Sequence, residues 1–402
     1  MKITDLHITP IAFADPPLLN STGVHEPLAL RTIVELEVDG TVVGLGEGSG
    51  ELEILDALRS VRDVVIGQDV FAISLLEASI YEALGTVNRS VFSIIEVACL
   101  DAQGKLLGRP VSDLLGGAVR STVPYSAYLF YKWAAHPGSP DDEWGEALDP
   151  DGMVRQAQRM VDLYGFGSIK LKGGVFQPDE EIAAIRALAE AFPDHPLRID
   201  PNGAWTVSTS LYVGKELDGV LEYLEDPALG FDSMSVIARR VSMPLATNMC
   251  VISPETIAPA LAVDAVQIVL SDHHYWGGLR HTRELGAICD TFGLGMSMHS
   301  NSHLGISLAA MTHVAAATPN LAYACDTHYP WNQADDVIEP GVLVFDKGAL
   351  AVPQGPGLGV TLNQDKLAEL HERYVASGRT TRADTAYMRQ VQPDYDPTLP
   401  RF

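Results

Sequence analysis

Ser168-Ile-Lys-Leu-Lys172 alternates apolar and charged residues. A period of two is typical of a β-strand, so Lys170 and Lys172 are predicted to share one face of the strand. Ile169 and Leu171 then share the opposite face, where they are expected to pack against helices. The stretch therefore predicts a strand that directs two lysines toward the interior of a sheet or barrel.

Similar strand-like runs that end on a polar residue return along the chain at a nearly constant interval. Successive polar residues of the series are 23 to 28 residues apart. That interval is about what one strand, one helix and two short loops consume. The series is Lys172, Asp200, Glu225, Asn248, Asp272, His299 and Asp326. This repeat predicts an α/β fold with a (β/α)8-type barrel, in which the strand ends meet at one mouth and carry the catalytic groups.

The segments before and after this repeat do not alternate strand and helix patterns in the same way. Residues 1–125 contain strand patterns, with a hairpin turn at Asp39-Gly40, followed by helical patterns, which is typical of an α+β domain. The barrel is expected at residues 126–350. The tail at residues 351–402 is too small to fold alone and is expected to return to the first domain. The predicted architecture is a modified TIM barrel with an N-terminal α+β capping domain that the C-terminal tail completes.

Composition and charge limit the classes of function. The chain has 402 residues, and 47% of them are hydrophobic, which is ample for large cores. A formal net charge of −25 argues against nucleic acid or an anionic membrane surface as partner, because both require a basic face. The four cysteines are scattered and form no metal or disulfide motif. No apolar run has membrane-spanning length and no signal-like pattern begins the sequence, so a cytoplasmic enzyme is expected.

The polar residues of the repeat indicate a divalent-cation site between two bases. Three consecutive strand ends offer the hard oxygen ligands that Mg2+ prefers, namely Asp200, Glu225 and Asn248. Lys172 lies one strand earlier, and an Asp272–His299 pair follows on the next two strands. An aspartate bonded to one ring nitrogen fixes the tautomer of a histidine and raises its basicity. Two such bases suit removal of a proton next to a metal-held carboxylate, because the cation would stabilise the resulting ene-diolate.

Several motifs carry a resemblance to a known family. They are Phe166-Gly-Ser-Ile-Lys-Leu-Lys-Gly-Gly174, Asp200-Pro-Asn-Gly-Ala-Trp205, Glu225-Asp-Pro227, Ala246-Thr-Asn-Met249, His299-Ser-Asn301 with His303, and Asp326-Thr-His328. With these motifs the chain resembles the enolase superfamily, mandelate racemase/muconate lactonizing type, and within it the glucarate dehydratase-like subgroup. Asn248 discriminates best, since most relatives use a carboxylate as third metal ligand whereas this subgroup uses asparagine in a Thr-Asn-Met context. The resemblance covers nearly the whole chain.

The resemblance implies a role for each matching position. Lys172 and His299 would be the two opposed bases, with Asp272 orienting His299. Lys170 would favour the neutral form of Lys172 through like-charge proximity and would also touch the substrate carboxylate. The Mg2+ ligands would be Asp200, Glu225 and Asn248. The contacts to the hydroxyls and the distal carboxylate would come from His25, Tyr128, Asn202, Asn301, His328 and Arg382.

The implied reaction is Mg2+-dependent β-elimination of water from an acid sugar, such as D-glucarate or L-idarate, to give 5-keto-4-deoxyglucarate. One alternative is dehydration of galactarate or of another aldarate or aldonate. Another is epimerisation or racemisation of the same substrates, since the same bases serve both reactions. A Schiff-base aldolase using Lys172 leaves three successive oxygen ligands unexplained. A non-catalytic scaffold would have lost a base or a ligand, and none is missing.

Some features of the chain depart from the family pattern or lie outside it. Asp226-Pro-Ala-Leu-Gly-Phe231 is a shortened form of the family's segment, and the stretches at 86–93 and 132–149 are trimmed. These stretches are expected near the substrate, so they bear on which sugar is used. His273 and His274, beside Asp272, are expected either to pack at the rim of the barrel, which is the favoured interpretation, or to contact substrate. Members of this branch commonly assemble through their barrel helices, so a homo-oligomer is expected.

Overall fold

The computed structural model describes residues 1–402, and its N-terminal part is an antiparallel sheet covered by helices. The strands are β1 (Ile3–Ala14), β2 (Leu19–Asn20), β3 (Gly23–Val24), β4 (Leu28–Val38) and β5 (Val42–Ser49). The helices are α1 (Leu52–Val65), α2 (Ile73–Leu84), α3 (Arg89–Leu107) and α4 (Val111–Leu114). The sheet has the order β1-β4-β5, and β2 and β3 form a separate small hairpin. Strands followed by helices confirm the predicted α+β capping domain.

Alternate glycines on β5 allow α3 to pack closely on the sheet. A Cβ atom at Gly44 would lie 1.9 Å from the carbonyl oxygen of Ala98, and one at Gly46 would lie 2.3 Å from that of Ile94. Real Cβ atoms do not approach backbone atoms so closely, so a larger residue at either position would push the helix away. The glycines therefore fix the distance between the sheet and the long buried helix of the capping domain.

The second part of the chain alternates strands and helices. Its strands are β6 (Thr122–Pro124), β7 (Ala127–Phe130), β8 (Ile169–Lys172), β9 (Leu197–Asp200), β10 (Leu221–Glu225), β11 (Leu245–Thr247), β12 (Ile268–Ser271) and β13 (Gly295–Met298). Its helices are α5 (Pro150–Tyr164), α6 (Pro178–Ala191), α7 (Val207–Glu216), α8 (Phe231–Ala238), α9 (Pro254–Ala262), α10 (His273–Trp276), α11 (Leu279–Phe292), α12 (Gly305–Ala316) and α13 (Tyr329–Asn332), with a 3₁₀ turn at Gln333–Asp335. Strands β7 to β13 form one parallel sheet in sequence order.

An irregular segment fills the eighth position of the barrel. Leu321 forms a single parallel bridge with Met296 on β13, and Cys325 forms one with Tyr125, just before β7. The segment therefore spans the gap between the first and last strands of the parallel sheet. The predicted (β/α)8-type barrel is confirmed in its modified form, with seven regular strands and one irregular segment.

The register of the parallel strands brings the predicted polar residues to one end of the barrel. Lys172 pairs with Asp200 across β8 and β9, and Glu225 is the last residue of β10. The next three members of the series each follow directly after the last residue of a strand, β11, β12 or β13: they are Asn248, Asp272 and His299. Parallel strands that are in register place their carboxyl ends at the same level, so these side chains share the mouth.

The C-terminal tail returns to both parts of the molecule. β14 (Phe345–Asp346) and β15 (Ala349–Ala351) extend a small sheet with β6, and α14 (Gln364–Ser377) packs along β1. α15 (Asp384–Met388) packs against β3. The tail thus completes the capping domain, while the division at residues 125 and 350 stays a prediction. No helix combines the length and apolar character that a membrane crossing requires.

Two buried glutamates of the capping domain reach the starts of barrel helices. Glu96 accepts a hydrogen bond from the backbone nitrogen of Leu279 at 2.8 Å, at the start of α11. Glu47 accepts hydrogen bonds from the nitrogens of Leu304 and Ser307, both at 2.8 Å, at the start of α12. Carboxylates are stabilised at helix N-termini because free N–H groups and the helix dipole meet there. These contacts fix how the capping domain sits over the barrel.

Candidate active site

A cavity of about 480 Å³ opens between the barrel mouth and the capping domain. Nine of the residues predicted from the sequence line it: His25, Tyr128, Lys172, Asn202, Asn248, His299, Asn301, His328 and Arg382. The other four lie buried around it: Lys170, Asp200, Glu225 and Asp272. The structure therefore brings residues from the capping domain, the barrel and the tail to one site of a size suited to a small molecule.

Lys172 forms one wall of the cavity. Its Nζ lies 2.6 Å from Asp200 Oδ2 and donates to Asn202 Oδ1 at 2.9 Å. Asn202 has a left-handed backbone with a φ of 56°, which asparagine tolerates better than most residues. The Asn202 amide in turn donates to the Ser21 hydroxyl of the capping domain at 3.1 Å. The Nζ atom of Lys172 is thus held at the end of β8 by Asp200 and Asn202.

Lys170 lies beneath the cavity and does not line it. Its fully buried Nζ is 2.6 Å from Glu225 Oε2 and 2.7 Å from Asp326 Oδ2, and it sits 4.7 Å from the centre of the Tyr128 ring. Burial opposes the charge, but Asp326 and Glu225 raise the pKa of Lys170 well above its ordinary value. These contacts favour the cationic form of Lys170 beneath the cavity.

Glu225 lies in surroundings that suit a candidate metal ligand. The side chain is fully buried, and neither carboxylate oxygen accepts a well-directed hydrogen bond, although Lys170 is close. Burial and the neighbouring Asp200 raise the pKa of Glu225 well above its usual range. Buried carboxylates are normally paired or bound to a cation, because an unpartnered one is costly. With Asp200 beside it and the Asn248 side chain on the cavity wall, the oxygen donors fit a divalent cation.

Asp226 positions the third of these oxygen donors. Its Oδ2 accepts a hydrogen bond from the Asn248 nitrogen at 2.8 Å, and its Oδ1 accepts one from Thr247 Oγ1 at 2.5 Å. Burial, together with the negative charge of Asp200, raises the pKa of Asp226 to about 7. Asp226 thereby holds the backbone from which Asn248 reaches the cavity.

His299 also lines the cavity, and the sequence predicts it as the base opposed to Lys172. Asp272 fixes the position of the His299 ring. The Nδ1 atom of His299 lies 3.1 Å from Asp272 Oδ2, and its Nε2 has no hydrogen-bond partner in the chain. Burial would raise the pKa of Asp272, but interactions with His274 and His299 hold it well below its usual range. An ionised aspartate bonded to Nδ1 leaves Nε2 as the nitrogen free to exchange a proton at the cavity.

The expectation that His274 only packs at the rim is wrong. Its Nδ1 lies 2.8 Å from Asp272 Oδ1, so Asp272 is shared between His274 and His299. His273 does pack, since it is buried with its ring centre 4.0 Å from that of His274. The short helix α10, which is separated from β12 by the single residue Asp272, carries His274 to this position.

Arg382 and His25 form a charged group at the capping end of the cavity. Arg382 Nη1 donates to Asp15 Oδ2 at 2.9 Å, and its Nε donates to Asp384 Oδ1 at 2.7 Å. Asp15 also lies 3.1 Å from His25 Nδ1. Burial acts against the guanidinium charge, but Asp15 and Asp384 raise the pKa of Arg382. The Nη2 group donates to no atom of the chain and is available to a ligand.

Neutral polar and aromatic groups complete the wall. His328 Nδ1 lies 3.1 Å from Ser300 Oγ, and the ring stands edge-on to Tyr128 at 4.8 Å. Burial is the main reason that the pKa of His328 lies well below its ordinary value, so the ring is neutral. Asn301 donates to the Tyr275 hydroxyl at 2.8 Å. These groups can exchange hydrogen bonds with hydroxyls without adding charge.

Comparison with known proteins identifies the family. The model of the "Mandelate racemase / muconate lactonizing enzyme, N-terminal domain" matches residues 8–116, and that of the "Enolase C-terminal domain-like" family matches residues 152–366. A Streptomyces coelicolor protein named "Probable glucarate dehydratase" is 52% identical, over 100% of this chain and 99% of that protein. The chain belongs to the enolase superfamily.

Solved structures of enolase-superfamily proteins share the whole architecture. An enolase from Mycobacterium smegmatis complexed with tartrate is 58% identical with a TM-score of 0.98, covering 100% of this chain and 98% of that one. An enolase from Gibberella zeae complexed with magnesium, formate and sulfate is 54% identical with a TM-score of 0.98, covering 100% and 97%. The modified barrel and its cap are therefore those of this superfamily.

Several cavity residues of this superfamily member were not predicted from the sequence. Arg31, Glu51, Tyr275 and Ser302 line the cavity, and burial raises the pKa of Glu51. Arg31 could have been noticed, because a charged residue inside the apolar run of β4 requires a partner. Tyr275 and Ser302 lie on loops and short turns, where periodicity carries no signal.

Proposed function

We propose that this protein is a Mg2+-dependent acid-sugar dehydratase that converts D-glucarate and L-idarate to 5-keto-4-deoxyglucarate. The placement of Lys172 and the Asp272-held His299 on the wall of one cavity, beside three oxygen donors, carries this proposal. The 52% identity to a protein named as a glucarate dehydratase supports it. So does the relative from M. smegmatis, whose crystals contained tartrate, a hydroxylated diacid.

The cation would be held by oxygen donors at three adjacent strand ends: Asp200, Glu225 and Asn248. The Gibberella zeae relative is complexed with magnesium, and the buried Glu225 carboxylate of this chain, which accepts no well-directed hydrogen bond although Lys170 is close, fits such an ion. When bound there, Mg2+ would supply positive charge next to the substrate carboxylate, which favours loss of the adjacent proton. Lys170 adds a permanent positive charge beneath the same group of carboxylates.

The chain's own groups move the protons. Lys172 or His299 takes the proton from the carbon next to the carboxylate, and the electrons of that C–H bond form a carbon–carbon double bond as the β-hydroxyl leaves. His299 returns a proton to that hydroxyl, which departs as water, and the enol product then becomes a ketone. Asp272 keeps the Nε2 of His299 directed at the cavity throughout. The substrate hydroxyls would bond to neutral donors and acceptors on the wall: Tyr128, Asn202, Asn301 and His328.

One observation favours a second activity at the same site. Basic groups lie at the ends of β8 and β13, so a proton can be removed at one face of the substrate and returned at the other. Proton return without loss of water is epimerisation, which would interconvert D-glucarate and L-idarate. The shortened segment after Glu225 and the trimmed stretches also leave galactarate and other aldarates or aldonates as substrates to compare.

A substrate screen tests the proposal. We expect purified protein with Mg2+ to convert D-glucarate and L-idarate, detected as keto-deoxy acid products with semicarbazide, at higher kcat/KM than any other acid sugar. Turnover confined to galactarate or an aldonate would support the proposed dehydration and contradict the proposed substrates. Exchange of the α-proton with solvent deuterium without keto product would identify an epimerase, and no reaction with any acid sugar would reject the proposed function.

Arg382 is expected to select for substrates with a second carboxylate. Arg382 lines the cavity and its Nη2 donates to no atom of the chain, and a charge-assisted hydrogen bond to a carboxylate contributes about 1.5–3 kcal/mol. Arg382→Lys keeps a cation beside Asp15 but loses the forked geometry, so we expect KM for D-glucarate to rise about 10- to 100-fold. The matched measurement uses L-gulonate, which keeps the carboxylate next to the reacting carbon of D-glucarate and lacks the distal one; its kcat/KM should change little. An equal loss for both sugars would contradict this role.

A further inference from the structure

A buried chain of polar contacts connects the capping domain to His299 by way of His274 and Asp272. Arg31 on β4 donates from Nε to Glu47 Oε1 at 3.0 Å, and its Nη2 lies 3.1 Å from His274 Nε2. His274 Nδ1 lies 2.8 Å from Asp272 Oδ1, and Asp272 Oδ2 lies 3.1 Å from His299 Nδ1. All five side chains are buried, although Arg31 and His299 also line the cavity. The chain uses both oxygens of Asp272 and both ring nitrogens of His274.

The charge of Arg31 determines which nitrogen of His274 carries the proton. A guanidinium has only donors and does not lose its proton in proteins. At 3.1 Å from Nη2, the Nε2 atom of His274 must therefore accept a hydrogen bond, and a proton there would face a cation. The Ser307 hydroxyl, 3.2 Å from the same Nε2, can donate as well. The single ring proton then lies on Nδ1, from which it is donated to Asp272 Oδ1.

We propose that Arg31 is a positioning residue that holds His274 as the neutral Nδ1–H tautomer, so that Asp272 keeps its negative charge for His299. A cationic His274 would share that charge and weaken the hold of Asp272 on His299. The opposite neutral tautomer would place a lone pair against Asp272 Oδ1. Either change would alter the basicity of His299 without moving it. The catalytic part of this proposal rests on the proposed function, whereas the tautomer itself does not.

The docking of the capping domain on the barrel determines where Arg31 lies relative to His274. Glu47, which holds the Arg31 guanidinium, also accepts hydrogen bonds from the backbone at the start of α12. The position of Arg31 over His274 therefore depends on the seating of the cap on the barrel. The charged and titratable groups that face His274 from all sides are Arg31, Glu47, Asp272, His273 and His303.

Nitrogen NMR of the free protein tests the tautomer directly. With ring-15N histidine, a protonated and an unprotonated ring nitrogen have well-separated shifts, and His274→Asn identifies which signals belong to His274. We expect wild type and Arg31→Lys at pH 7 to show a neutral His274 with its proton on Nδ1. Arg31→Gln, whose amide can donate or accept, should show the other tautomer or a doubly protonated ring. A wild-type His274 that is protonated on Nε2 would overturn the proposal, and this result needs no substrate.

Arg31 also lines the cavity, so it could contact substrate directly. Measurements of α-proton exchange distinguish that role from the positioning of His274. In metal sites, removal of a group that orients a metal-bound histidine typically costs about 10- to 100-fold in metal affinity or activity, and we take the same range for His299. We expect Arg31→Gln to reduce α-proton exchange on the His299 face by about that factor and to shift its pH profile, with exchange on the Lys172 face nearly unchanged. Arg31→Lys should restore most of the loss. An equal loss on both faces, or a change in KM alone, would mean that Arg31 only binds substrate and would overturn the positioning role.

Discussion

The single variants Lys172→Ala and His299→Asn are expected to impair different steps, because each of the two bases faces the opposite side of the substrate. D-glucarate and L-idarate differ in configuration at one carbon next to a carboxylate, so their α-protons point to opposite walls of the site. His299→Asn should lower elimination from both epimers by about 10²–10⁴-fold, because His299 also serves the departing hydroxyl. His299→Asn should leave intact the α-proton exchange of the epimer whose α-proton points toward Lys172. Lys172→Ala should abolish exchange in that epimer and leave elimination from the other.

Proton NMR in deuterium oxide, followed separately for each epimer, measures exchange, and semicarbazide measures the keto product. Ser302→Ala is the matched control, because Ser302 lines the same cavity and has no expected role. Lys172 contacts Asp200, so Mg2+-induced stabilisation of Lys172→Ala must be checked to exclude a metal-site defect. If both variants impaired the two epimers alike, the assignment of one base to each face would be wrong.

Removal of Mg2+ is expected to abolish turnover, and Glu225→Gln is expected to weaken Mg2+ binding without destabilising the metal-free protein. In the wild type, burial and Asp200 oppose the charge on Glu225, so the cation relieves an unfavourable carboxylate. Lys170, which lies 2.6 Å from Glu225, keeps Asp326 as a carboxylate partner at 2.7 Å in the variant. A ligand at one hundred times its Kd stabilises a protein by about 2.7 kcal/mol. The Mg2+-induced rise in Tm should therefore be several degrees in the wild type and largely lost in Glu225→Gln. The Tm of Glu225→Gln in EDTA should equal or exceed that of the wild type.

Glu222→Gln makes the same substitution on the same strand, β10. Glu222 pairs with Arg198 Nε at 2.7 Å, and Arg198 is buried, so this control should lower the Tm in EDTA. Its Mg2+-induced rise in Tm should persist, because Glu222 lies away from the cavity. A full Mg2+ response in Glu225→Gln, or turnover by the wild type in excess EDTA, would contradict the assignment of Glu225 as a ligand.

Strand ends were predictable because their signal is local. A residue such as Lys172 or Asp200 follows an alternating apolar run, and parallel pairing brings successive run ends to one mouth whatever the details of the helices. Asn248 was predictable for the same reason, together with its Thr-Asn-Met context. The candidate metal donors and the two candidate bases therefore followed from spacing and residue type, before any tertiary contact was known.

The partners of these residues were not predictable in the same way. Asp226 looked like part of a shortened loop, yet it is the residue that holds Asn248 by its backbone. His274 was expected to pack at the rim, although it shares Asp272 with His299. In both cases the hydrogen bond depends on the direction of one side chain in a turn, and no periodic pattern determines that direction.

The sequence by itself determined the barrel, its capping domain and the types of chemical group at the mouth, because the spacing of strands and the choice of oxygen, lysine and histidine side chains are written along the chain. Only the tertiary structure decided how those groups are tuned. Arg31 and His274 are 243 positions apart, and they meet because the cap docks on the starts of two barrel helices. Burial in that interface removes water, so each charge there is governed by the few groups that surround it.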